Sequence, residues 1–99
     1  MQAILTIEKH KAHIALDGVF TFEAHREFKA ATMGALGNEG VEEIEIDFNA
    51  VEYIDSAALG MLLLLNERAG GRKIVLRNCT GTVRAVLDVA NFGKIFEIR

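Results

Sequence analysis

Asp55 and Ser56 are the residues of this chain best placed to do chemistry. They stand directly before "AALGMLLLL", one of its most apolar stretches. A hydroxyl beside a carboxylate at the start of a helix has three uses. It can accept from a free amide of the first turn as a cap, which contributes about 1 kcal/mol. It can accept a phosphoryl group, gaining a charge of roughly −1.5 to −2 at neutral pH. Or it can act as a nucleophile, if a base is held against it. Local physics makes Ser56 a cap, with Asp55 favouring the positive end of the helix dipole. The same geometry suits a phosphoacceptor: a strand-to-helix junction is where α/β proteins tend to place their sites, and helix amides receive anions well. The nucleophile reading is the weakest. "DSAALG" lacks the Gly-x-Ser-x-Gly elbow of esterases, and the spacing of His10, His13 and His25 specifies no base.

The remaining reactive side chains point to no metal and no cofactor. No carboxylate or thiol set completes a ligand shell around the histidines, which read as solvated surface residues. Cys79 is the one cysteine; it can form neither an internal disulfide nor a thiolate zinc site and reads as a loop-side packing residue. A reducing, cytoplasmic setting follows as an expectation. Gly70-Gly71 follows a helix and precedes a strand, the reverse of a phosphate-binding loop. A net charge of −3 lacks the basic face of a nucleic-acid binder. No run approaches the roughly 18 apolar residues of a membrane span, so no direct membrane contact is expected.

The elements that position Asp55-Ser56 follow from periodicity. At 99 residues, with 51% hydrophobic and 25% charged residues, the chain suits one folded domain over 1–99. "AILTIE" and "HIALD" read as a hairpin, with Gly18 breaking the second strand. Thr21 is expected to cap a helix from Phe22, whose buried face carries Ala24, Phe28, Ala31 and Ala35. In "EIEIDF", Ile44, Ile46 and Phe48 point to one side and Glu43, Glu45 and Asp47 to solvent. An Asn49-Ala50 turn and "VEYI" lead to the junction. A helix from about Ala57 to Ala69 follows, with its leucine run and Met61 in the core. "KIVLRN" reads as a strand covered on both sides. Val83, Val86, Leu87 and Ala90 form the inner face of a helix capped by Thr80 or Thr82, with Arg84 and Asp88 paired outside. "KIFEIR" closes as a strand or short helix. The sum is an α/β layer structure with a mixed sheet of four to five strands and three to four helices packed on it.

At this point "IDFNAVEYIDSAALGMLLLL" resembles the signature of STAS domains, specifically the anti-sigma factor antagonists. Members typically show an acidic-ended apolar strand, a short turn with Val, then Asp-Ser-Ser-Gly-Leu-Gly and an apolar helix. Gly18, Gly70-Gly71 and "TVRAVLDVANFGKIFEI" also fall where that family has matching features. The resemblance implies a binding protein and not an enzyme. Its unmodified form binds an anti-sigma factor and frees a sigma factor. A serine kinase, often the anti-sigma factor itself, phosphorylates the Ser after the Asp, and a metal-dependent serine phosphatase resets the cycle. ATP and magnesium belong to the kinase, so no cofactor is implied here. Carried over, the acceptor is Ser56 and Asp55 is its recognition neighbour. Phe20, Thr21, Ala57, Ala58 and Gly60 are the partner contacts, and the chain is a monomer between partners. Two departures stand out. Ala57 and Ala58 replace the family's second Ser and its Gly, leaving Ser56 as the one hydroxyl in the motif. Thr21 stands where members often have Asp. The alternative within the same family is a STAS subunit of an ABC-type lipid-transport complex, never phosphorylated. A small hydrolase using Ser56 and a nucleotide-binding sensor are the readings outside it.

Overall fold

Period-two alternation places Ala12, Ile14 and Leu16 on the same side of one strand as Ile44, Ile46 and Phe48 on the next, and all six are buried. In the computed structural model, which describes residues 1–99, these strands are β2 (Lys11–Phe20) and β3 (Glu43–Ile54), at the centre of a five-stranded sheet. The others are β1 (Gln2–Glu8), β4 (Lys73–Arg77) and β5 (Glu97–Ile98). The helices are α1 (His25–Leu36), α2 (Ser56–Arg68) and α3 (Gly81–Val89). Phe22–Ala24 and Phe92–Lys94 form single 3-10 turns.

The strand order is β1-β2-β3-β4-β5, with β1 antiparallel to β2 and every later pair parallel. Each parallel crossover steps one strand in the same direction. Right-handed crossovers of that kind bring all three helices to one face of the sheet. The core bears this out: Phe28 of α1, Leu62 of α2 and Leu87 of α3 belong to one buried cluster with Ile14, Ile46 and Leu76. The mixed α/β sheet expected from the sequence is therefore present. "KIFEIR" closes the chain as a strand, the two-residue β5, with the 3-10 turn at Phe92–Lys94 leading into it.

The other face of the sheet carries no helix. There the alternation expected of "EIEID" holds, but solvation does not: Glu45 is only 6% exposed. Its carboxylate lies 3.0 Å from His13 Nδ1, 3.3 Å from Arg77 Nη1 and 3.6 Å from Lys11 Nζ. Asp47 accepts from Asn78 Nδ2 at 2.8 Å and from the Asn49 amide at 2.9 Å. Val75, in register with Glu45 and Glu97, is fully buried on this face. The strand is thus covered on its second side by a layer of charged side chains and not by a helix, because their aliphatic stems exclude water while their heads pair.

Three local expectations need correction. Gly18 does not break β2: it adopts φ +116°, a conformation open to glycine, and the strand continues to Phe20. Asn49-Ala50 is not a turn. β3 runs through it, with register shifts against β2 between Ala15 and Asp17 and again between Gly18 and Val19. These insert extra residues into β3 and bend it, as bulges do. Finally, Leu63 and Leu64 are exposed, so the leucine run of α2 is core only at Leu62 and Leu65.

The buried ion cluster predicts how stability depends on pH. Burial raises the pKa of Glu45, but hydrogen bonds from Arg77 and His13 and the charges of Arg77 and Lys11 outweigh it, so the net shift is downward. Asp47 is lowered in the same way, by Asn78 and the Asn49 amide against its burial. A carboxylate whose folded pKa lies below its unfolded value stabilises the fold above the unfolded value, and that stability is lost as pH falls through the folded one. Urea unfolding should therefore weaken progressively below about pH 4.5, the ordinary glutamate value. Glu45→Gln should be less stable at neutral pH and show a shallower loss between about pH 5 and pH 3. Equal slopes in the two proteins would remove Glu45 from this role.

Candidate functional site

β2 and β3 extend side by side past the end of β4, with Val19 opposite Tyr53 and Phe20 opposite Ile54. Where they end, Asp55 gathers three segments. Its amide donates to the Phe20 carbonyl at 3.3 Å. Its Oδ1 accepts from the Ala58 amide at 2.9 Å, and its Oδ2 accepts from the Phe22 amide at 3.3 Å. Asp55 has extended backbone angles, φ −115° and ψ −178°, and is the cap of α2. The cap reading of Ser56 is thereby corrected: Ser56 is the first residue inside the helix. Asp and Ser are both good caps, and the residue that leaves the strand still extended takes the position. The expected cap by Thr21 also fails: its side chain makes no capping bond, and the Ala24 amide donates to the Thr21 backbone carbonyl.

Ser56 is left exposed, and its Oγ makes no hydrogen bond within the chain. α2 buries Ala58, Leu62 and Leu65. The opposite stripe, at spacings of four and three, is Ser56, Gly60 and Leu63, all exposed. A Cβ at Gly60 would meet nothing within 4 Å, so that surface is flat and open. Ala57 and Thr21 are partly exposed beside it. Phe20 and Ala58 are completely buried and offer a partner no surface. Phe20 instead packs on Phe28 and Phe48, with ring centroids 4.8 and 6.2 Å away. The most exposed aromatic is Phe22, at 72%, hydrogen-bonded through its amide to Asp55. Val19 and Tyr53, a cross-strand pair, are also exposed. Strand parity makes that pair legible from the buried Phe20 and Ile54. Phe22 is not legible this way, because a 3-10 turn begins there and alternation stops.

The other reactive residues lie elsewhere. His10 Nδ1 is 3.1 Å from the Gly40 carbonyl, His13 sits on the open sheet face, and His25, the first residue of α1, lines the groove between α1 and α2. None is hydrogen-bonded to Ser56. His13 is thus not merely solvated, since Glu45 holds it. Cys79 is buried, which pushes its thiol up to about 11 despite the nearby Arg84, so it stays protonated and unreactive. Ser56 thus combines an exposed side chain with a backbone fixed in the first turn of α2.

Substitutions at two positions test this account by urea unfolding. Asp55→Ala removes both side-chain acceptors and should cost about 1–2 kcal/mol, with Asp55→Asn costing less. Gly60→Ala, in an exposed helix interior with room for the methyl, should stabilise by about 0.5–1 kcal/mol.

Sequence and structure comparisons place this geometry among known proteins. A family profile described as the Mlab STAS domain matches residues 4–98. A STAS-domain containing protein of Pseudomonas aeruginosa (strain UCBPP-PA14) is 36% identical over 98 residues, covering 97% of this chain and 95% of its own. An anti-sigma factor antagonist from Mycobacterium paratuberculosis superposes with a TM-score of 0.88 at 15% identity, over 98% of this chain and 83% of its own. The anti-sigma factor antagonist SpoIIAA superposes in its unphosphorylated form with a TM-score of 0.75 at 20% identity, over 98% and 86%. The phosphorylated form of the Bacillus protein gives 0.74 at 20% identity, over 98% and 90%. At these identities the structural likenesses are likenesses of fold. The profile match and the Pseudomonas relative are likenesses of sequence along nearly the whole chain, and by them this protein belongs to the Mlab STAS-domain family.

Proposed function

We propose that residues 1–99 form one cytoplasmic, monomeric binding domain, an anti-sigma factor antagonist controlled by phosphorylation at Ser56. The unphosphorylated form binds an anti-sigma factor that is also, or is accompanied by, a serine kinase, and so releases a sigma factor. A metal-dependent serine phosphatase restores it. The observation that carries this reading is the state of Ser56: an exposed, unbonded hydroxyl in the first turn of a helix whose cap is already supplied by Asp55. A phosphate there meets first-turn amides and the positive end of the helix dipole, so the fold tolerates it. The surface does change. Beside the Asp55 carboxylate, a further charge of roughly −1.5 to −2 and its bulk meet any partner seated on the stripe. That SpoIIAA has been solved in both states, each matching this chain about equally well, supports a switch that acts through binding and not through refolding. Asp55 orients the acceptor for the kinase. Thr21, Ala57 and Gly60 lie in the contact surface, extended by Phe22 and Leu63.

A second reading keeps the binding module and omits the phosphate: a STAS subunit of an ABC-type lipid-transport complex. The description of the matching profile as Mlab, and not as an anti-sigma factor antagonist, favours it.

Intact mass and peptide mapping of the protein from its native cells separate the two. The expected result is a fraction carrying one phosphoryl group on Ser56, absent in Ser56→Ala. Partner capture should persist with Ser56→Ala and fall at least about tenfold with Ser56→Asp, equivalent to about 1.4 kcal/mol. Phosphate-free protein under all growth conditions, co-purifying with an ABC ATPase, would establish the second reading instead. Phe22→Ala should weaken capture while leaving the urea midpoint unchanged within about 0.5 kcal/mol, as its side chain lies on the surface.

A further inference from the structure

A second surface lies on α2, to one side of the Ser56 stripe. α1 and α2 enclose a groove with Leu36, Met61 and Leu64 along its apolar part and His25, Lys29 and Arg68 among its polar lining. No Asp or Glu lines it. Its cavity holds about 60 Å³. Small-molecule sites run to roughly 300–1,000 Å³, so this is a seat for a protruding side chain and not a ligand pocket. Lys11, Lys73, Arg77, Arg84 and Arg99 pair with carboxylates, whereas Lys29 and Arg68, like Lys9, Arg26, Arg72 and Lys94, pair with none. Lys29 and Arg68 differ from the other four in standing together on one groove. On a chain of net charge −3, the groove is a local basic island with an apolar floor.

We propose that this groove docks an acidic amphipathic helix of a partner protein, independently of the state of Ser56. Two neighbouring helices present ridges between which a third helix can lay its own, and a seat of this size receives one aliphatic side chain of that helix. The unpaired cations then meet acidic residues flanking its apolar stripe, which gives orientation and selects against basic helices. A second copy of this chain does not supply such a helix: α1 and α2 each carry one acidic residue, and the Asp88 of α3 is already paired with Arg84. A membrane surface is also a poorer match, since lipid-binding clusters carry about 4–8 Lys or Arg side chains and this groove has only Lys29 and Arg68.

The test titrates the ¹⁵N-labelled full chain with two synthetic helical peptides that share one leucine stripe and carry either glutamates or lysines beside it. The glutamate peptide should shift amides within 25–36 and 61–68 and bind at least about tenfold more tightly than the lysine peptide. Lys29→Glu with Arg68→Glu, both at exposed positions, should reverse that preference, and Ser56→Asp should leave it unchanged. Equal binding of the two peptides, no binding of either, or shifts centred on α3 would overturn the proposal. So would binding to phosphatidylglycerol vesicles in place of the peptide, which would make the groove a membrane site. Concentration-dependent dimerisation abolished by Arg68→Glu would assign it to a second copy and overturn it equally.

Discussion

Asp55 holds the Ser56 end of this protein together by using both carboxylate oxygens. One closes the first turn of α2 through the Ala58 amide, and the other reaches back to the Phe22 amide beyond the end of β2. With its own amide on the Phe20 carbonyl, the residue ties the exits of two parallel strands to the entry of a helix. Hydrogen bonds to a charged acceptor are stronger than neutral ones. The consequence for Ser56 is a release from structural duty. Asp55 does the capping, so the serine oxygen is exposed and unbonded, yet its backbone sits in a rigid turn.

The sheet explains why the site is asymmetric. Sequential strand order with right-handed crossovers leaves one face without helices, and that face has to be closed by side chains alone. Lys11, His13 and Arg77 converge on Glu45, and Asn78 on Asp47. A buried carboxylate is tolerated because each oxygen has a partner; removing one partner leaves a charge without compensation. The helical face has the reverse character. Its core is apolar, and the edges of α2 emerge from it as two surfaces, a flat stripe beginning at Ser56 and a groove against α1 bearing Lys29 and Arg68. One helix thereby contributes to both surfaces.

By itself the sequence determined the order and kind of the main elements and the Asp-Ser junction. Those signals are local: a period of two or of 3.6, and cap-forming residues before an apolar run, act within a few residues of one another. The inner faces at Phe28, Ala31 and Ala35 and at Val83 and Leu87 were readable for that reason. Tertiary structure decided what depends on distant neighbours. Asp55 took the cap from Ser56 and reached the Phe22 amide because the ends of β2 and β3 lie side by side. Phe20 turned inward and Phe22 outward because a 3-10 turn ends the alternation between them. Leu63 and Leu64 stayed exposed because α1 and α3 flank α2 without covering its outer stripe. Glu45 went under an ion cluster because β2 and β4 bring three basic side chains to its row. Local propensity names what a residue can do; the partner that makes it do so arrives from more than thirty residues away, as with Phe22 and Asp55, and only the folded chain puts the two in contact.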